Sequence, residues 1–210
     1  MNQAEERERE RLAAIACNRV DAAPVVEALC GAGFVVESVA DLFNKKMDYR
    51  GAIPILVEWL PRVANPNVKE SIVRALSVKW ARPAAPLLMA EFERADDLTG
   101  VGLRWAIGNA LEVLANDEIA DGMIKVATDR RYGRAREMVV VGLGKLKDAR
   151  VTDVLLGLLA DDEVVGHAVM ALGKLRVVTA RSRIERFLDH PKPWVRKEAK
   201  KALARIDKAG

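Results

Sequence analysis

The sequence predicts an all-α fold, a right-handed α-solenoid of helix pairs behind an N-terminal helical cap. A small residue followed by leucine recurs five times, at Ala75-Leu76, Ala110-Leu111, Gly142-Leu143, Ala171-Leu172 and Ala202-Leu203, with spacings of about 35, 32, 29 and 31 residues. That period belongs to helix-pair repeats rather than to a closed domain. Only 5% of the 210 residues are aromatic while half are apolar, chiefly Ala, Val and Leu, a mixture that lets helices approach closely.

Residues 1–47 lack the repeat and read as the cap. Its Glu/Arg-rich opening predicts a helix held by alternating ion pairs, with Leu12, Ile15 and Ala16 on one apolar side. A second helix is expected from Pro24 to Ala32, with Pro24 in its first turn and the Gly31–Gly33 stretch supplying a left-handed stop. Ser38 and Asp41 resemble a capping box that starts a third helix through Leu42 and Phe43.

Five units follow, over about 48–78, 79–115, 116–147, 148–176 and 177–207, each a helix A, a turn and a helix B. In the first, Ile53, Leu56 and Leu60 recur at helical spacing, then Val68, Ile72, Ala75 and Leu76. The second has Pro83 and Pro86 early in its A helix, where one of them bends the helix if it lies deeper than the first turn. The third has the weakest A helix. In the fourth, Leu155, Leu158 and Leu159 precede the Asp161-Asp162 turn, after which Val164, Ala168, Ala171, Leu172 and Leu175 line the next buried stripe.

The net charge of +4 is a local property, because residues 181–210 hold ten Lys or Arg against four Asp or Glu. The remainder, 24 basic against 26 acidic residues, has no nucleic-acid footprint. No stretch reaches the roughly 18 uninterrupted apolar residues of a membrane span, and the first residues have no apolar leader region, so a soluble cytoplasmic monomer is expected unless the N-terminal helix pairs. Cys17 and Cys30 have no CxxC spacing and read as two buried thiols in a reducing compartment.

The segments RYGRAREMVVVGLGKL (131–146), DEVVGHAVMALGKL (162–175) and PWVRKEAKKALARI (193–206) resemble HEAT repeats, of the short variety found in bilin-lyase-like proteins. The resemblance covers residues 48–206. Its VRxxAxxAL pattern is matched fully by Val195, Arg196, Ala199, Ala202 and Leu203; Lys69, Arg104 and Arg136 occupy the arginine position, and Val165 breaks the series. A basic residue there can reach oxygens of the preceding turn, as Arg196 would toward Asp189. The resemblance implies a fold and a range of roles: scaffolds, adaptors, lyase subunits and occasional enzymes.

Catalytic chemistry is sparse. Deoxyhypusine hydroxylase, a HEAT-type enzyme, binds iron through His-Glu pairs at the start of its B helices. Here the matching positions hold Glu137-Met138, Gly166-His167 and Lys197-Glu198, so no metal or other cofactor is expected. Cys17, Cys30, Ser71 and Ser77 lack a His or carboxylate at suggestive spacing, and the Gly-Leu-Gly of residues 142–144 lacks the phosphate-loop pattern. Trp80, Trp105 and Glu112 match a HEAT-like DNA glycosylase in residue type alone, and a bilin-lyase subunit is matched only at repeat level.

In HEAT arrays the B helices line the concave side. The positions opposite their buried stripe give Arg74, then Trp105 and Asn109, Met138 and Val141, and His167 and Met170. Trp105, Met138, Val141 and Met170 would form an apolar strip with Asn109 and His167 as polar handles, suited to a peptide or an amphipathic helix; a one-position phase error would instead turn them inward. The expected function is therefore a noncatalytic scaffold or adaptor for a protein partner. The alternative is nucleic-acid binding by Lys197, Lys200, Lys201 and Arg205, against which stands a capping role for the last helix, with Trp194 sealing the final turn.

Overall fold

The computed structural model describes residues 3–97 and 102–208, among which there are twelve α-helices and no strand. The chain forms two compact units, Met1–Ala84 and Ala85–Gly210.

The first unit contains α1 (Gln3–Gly31), α2 (Asp41–Asn44), α3 (Ile53–Trp59) and α4 (Pro66–Leu76). The two helices expected before residue 32 are one: Pro24 lies inside α1 instead of opening a second helix. Its ring removes a single backbone donor, and the turns on both sides keep the helix continuous. Gly33 takes the left-handed stop at φ 91°, and Phe34 N–H closes the end on the Leu29 carbonyl at 3.1 Å. Leu12 and Ile15 are exposed rather than packed, as is Ala16; α1 buries only Val25 and Leu29. Both cysteines are exposed, correcting the expectation of buried thiols. Asp21, whose Oδ2 lies 3.6 Å from Cys17 Sγ, pushes that thiol above its ordinary range through its charge and hydrogen bond.

Asp41 fills half of the expected capping box. It accepts the Glu37 N–H at 2.8 Å, and this bond together with Lys45 pulls its carboxyl down to about 2, although no side chain caps α2 itself. Asn65 caps α4 by accepting the N–H groups of Asn67 and Val68, while its amide donates to Asp21 at 2.6 Å and Asn18 at 3.0 Å. One side chain thus ends a loop, starts a helix and ties it to α1. Val68, Ile72, Ala75 and Leu76 are buried beneath it.

The second unit runs α5 (Ala85–Arg94), α6 (Leu103–Leu114), α7 (Ala120–Thr128), α8 (Glu137–Leu143), α9 (Arg150–Leu158), α10 (Val165–Leu175), α11 (Arg181–Glu185) and α12 (Pro193–Ile206). Odd and even helices pair in sequence, α5 with α6 through α11 with α12, and the even ones pack on each other in order. Pro83 falls in a 3-10 segment before α5 and Pro86 in its first turn, so neither interrupts a ladder. The weakest A helix is α11 rather than that of the third unit: α7 has nine residues and α11 five, of which only Ile184 is buried.

Contact between successive even helices repeats in register. The residue after one anchor leucine meets the residue before the next: Glu112 against Gly142, Gly144 against Ala171, Gly173 against Ala202. A Cβ added at Gly144 or Gly173 would come within 2.9 or 2.7 Å of the facing alanine Cα, so backbones touch there with no space for a side chain. All five anchor leucines are buried.

The basic residues at three B-helix entrances donate to carbonyls of the preceding A helix or of the turn that follows it. Arg104 donates to the carbonyls of Phe92 at 3.1 Å, Asp97 at 3.0 Å and Ala95, and lies 5.2 Å from the Tyr132 ring centre. Arg196 donates to His190 and Pro191 carbonyls rather than to Asp189. Arg136 is fully buried. It bonds Ala127 O at 3.0 Å and Gly133 O at 3.1 Å behind it, and Asp161 at 3.0 Å and Glu163 at 2.9 Å in the next turn. It therefore serves the unit in which Val165 replaces the arginine.

At the exposed turns, aspartates accept the backbone N–H and the guanidinium of the residue two ahead: Asp48 with Arg50, Asp129 with Arg131, Asp148 with Arg150. The Arg131 and Arg150 side chains bring their partners' carboxyls down to about 2.

Removing the guanidinium of Arg136 strands a buried carboxylate and two carbonyls. Arg136→Ala is expected to cost about 3 kcal/mol of unfolding free energy in urea titrations, whereas the exposed Arg150→Ala leaves the midpoint nearly unmoved. Equal shifts would show that the buried cluster does not hold the turn.

Candidate functional site

The even helices α6, α8 and α10 of the second unit carry a row of partly exposed side chains. Helical spacing places Trp105, Asn109 and Glu112 along α6, Met138 on α8, and His167, Met170 and Lys174 along α10. Trp105, Asn109, Met138, His167 and Met170 are all half-buried, their remaining surface open to solvent. Asn109 turns its amide back to the Trp105 carbonyl at 2.8 Å, fixing its orientation.

Val141 does not belong to this row; it is 1% exposed. Two glycines follow it on α8. At Gly142 the chain comes close to Glu112 of α6 and at Gly144 to Ala171 of α10, so the helices on both sides crowd this stretch of α8. Arg74, in the first unit, is exposed and bonded through Nε to Glu70 at 2.9 Å. Trp80, also in the first unit, packs edge-on against Tyr49 with ring centres 5.9 Å apart and carries Arg50 over its face at 5.0 Å.

One end of the row is closed by ions. Glu112 accepts Lys145 at 2.8 Å and Lys174 at 3.3 Å, so one carboxylate joins three successive units. Desolvation pushes its carboxyl upward, but the bonds and charges of the two lysines outweigh that and hold it below its ordinary value. Glu112 is an ion-pair centre. Sequence reading missed this cluster, although Leu-Gly-Lys-Leu at 143–146 and again at 172–175 puts both lysines in the same register.

The other end opens into a notch of about 320 Å³, lined by Arg134, Glu137, Glu163, His167, Lys192 and Trp194. The Trp194 ring lies against Gly166, where a Cβ would run into it, and 5.1 Å from the His167 ring at a 50° tilt. Burial holds the imidazole below its ordinary 6.5, assisted by the cations of Arg134 and Lys192 against the opposing charge of Glu137. His167 Nδ1 is buried without a hydrogen-bond partner.

On α12, Lys197, Lys200, Lys201 and Arg205 are exposed, and Lys201 is bonded to Glu198 at 2.6 Å. Among the described residues, no three His, Cys, Asp or Glu side chains stand close enough to hold a metal ion, and no helix is long and apolar enough to cross a membrane.

No protein-family model matches the chain, and no curated protein does. Among solved structures it is similar to the crystal structure of an engineered protein, at 20% identity and a TM-score of 0.51, over 76% of this chain and 81% of that one. At that identity the similarity concerns the all-helical fold alone.

Glu112 yields a signed pH prediction. A carboxyl held below its ordinary value stabilises the folded state fully above that value and loses the effect as pH falls through the lowered one. Glu112→Gln should therefore melt about 3 °C below wild type at pH 7, with the gap closing as the pH drops below 4.5. A gap that is constant with pH in calorimetry would remove the ion pairs as its cause.

Proposed function

We propose that the helix pairs of residues 85–206 form a HEAT-like right-handed solenoid that acts as a noncatalytic scaffold, holding a segment of a protein partner along its even-helix face. The observation that carries this reading is the row of Trp105, Asn109, Met138, His167 and Met170, each half-buried on successive helices that are already packed against one another. A thioether-and-indole surface of this kind accepts an apolar helix or extended segment, and the fixed Asn109 amide and the His167 imidazole supply directional contacts. Polar ends, the Glu112 cluster on one side and the His167 notch on the other, give the apolar centre the polar rim typical of a binding groove.

Binding is favoured over catalysis because the carboxylates at the two ends of the row are committed, Glu112 to two lysines and Glu137 to Arg134. Two exposed free thiols fit a protein of the reducing cytoplasm. Nucleic-acid binding through α12 has less support, since Lys201 is paired with Glu198 and the Trp194 ring is packed on Gly166 and His167.

The test compares wild type with Trp105→Ala and Met170→Lys, using cross-linking and mass spectrometry to identify the captured protein and its contact site. Both variants should keep a melting temperature near that of wild type and bind the identified partner at least about tenfold more weakly. Unchanged capture, or loss of the fold in both, would assign these residues to packing.

A further inference from the structure

We infer that the notch lined by Arg134, Glu137, Glu163, His167, Lys192 and Trp194 receives a single acidic side chain of the segment held on the neighbouring row. This rests on the scaffold reading above and adds a specificity to it: an Asp or Glu flanking the apolar residues.

The notch is a built cavity. Gly166 leaves out the Cβ that would displace Trp194, so the indole stands as a fixed wall, 40% exposed, beside the half-buried imidazole. His167 belongs to both places, lining the notch and standing one helical turn from Met170, so a segment lying on the row passes the opening.

The charges in and beside the notch select the occupant. Glu137 is taken by Arg134 Nε at 3.1 Å, and Glu163 by the buried Arg136 at 2.9 Å. Asp161, outside the lining, is bonded by Arg136 at 3.0 Å and approached by Arg130 at 3.3 Å. Lys192 reaches one oxygen among the described residues, the Asp162 carbonyl at 3.4 Å. The cavity wall holds two cations and two carboxylates, but Glu137 is paired with Arg134 and Glu163 with Arg136 outside the wall, so Lys192 is the lining charge that no carboxylate contact answers among the described residues. The starts of α10 and α12, neither capped by a side chain, add positive potential to the same region. A monoanion answers that one ammonium. A phosphate dianion would exceed it and face the carboxylates of Glu137 and Glu163 at close range.

The experiment is an NMR titration of the whole chain with N-acetyl-glutamate N-methylamide, its neutral glutamine counterpart and inorganic phosphate, read at the Trp194 indole N–H and the His167 ring. The acidic probe should give saturable shifts at both groups and raise the His167 pKa toward 6.5, while the glutamine probe gives none. Lys192→Gln, an exposed change that spares the fold, should weaken the acidic probe about tenfold. Equal shifts from the neutral probe, indifference to Lys192→Gln, or tighter binding of phosphate would overturn the assignment. Because these readings need no partner protein, the notch can fail while the row, tested by Trp105→Ala and Met170→Lys, still holds.

Discussion

A guanidinium with no access to water has to find every oxygen it needs inside the protein, and Arg136 is in that position. An unpaired buried ion costs several kcal/mol, so the fold around it is constrained to supply partners in fixed places. Those partners come from the end of α7, the loop before α8 and the turn before α10. The contact sets the relative position of two successive helix pairs through a single side chain. It also fixes Glu163, one wall of the notch, so the site at the edge of the row inherits its geometry from the most buried charge in the unit.

Arg104 and Arg196 show the simpler form of the same chemistry. Each sits at the entrance of an even helix and donates to carbonyls that the preceding segment leaves without helical partners. Where Val165 breaks the series, Arg136 reaches forward to Asp161, and Arg186 contacts the Leu159 carbonyl from the following unit at 3.5 Å. The vacancy is therefore served from both sides.

The periodic part of this arrangement was legible in the sequence. Anchor leucines, small partners and the buried stripes of α4, α9 and α10 follow from helical spacing, because burial of one face leaves a period that composition cannot hide. What the period does not encode is how near the neighbours come. Val141 shares the helical phase of the row and yet is covered, since glycines at 142 and 144 draw the flanking helices in. The reading of buried thiols failed for a related reason: Cys17 and Cys30 lie on a long helix that buries only two of its residues, a tertiary fact absent from local pattern. Most of the candidate site was named at the level of single residues. Its cooperative parts, the two-lysine clasp on Glu112 and the cavity closed by Trp194, depend on contacts across 33 and 62 residues for the lysines and on a packing partner one unit away for the indole.

The register in which Glu112 meets Gly142, Gly144 meets Ala171 and Gly173 meets Ala202 has a bearing on how such a chain changes length. Each even helix turns the residue before its anchor leucine to its predecessor and the residue after it to its successor, so every junction joins the same two edges. A duplicated unit inserted between two others would find complementary surfaces waiting on both sides, with no new interface to invent. Growth by copying is thus built into the contact itself, and every added copy would extend the row by one more helix whose outward residues are free to differ.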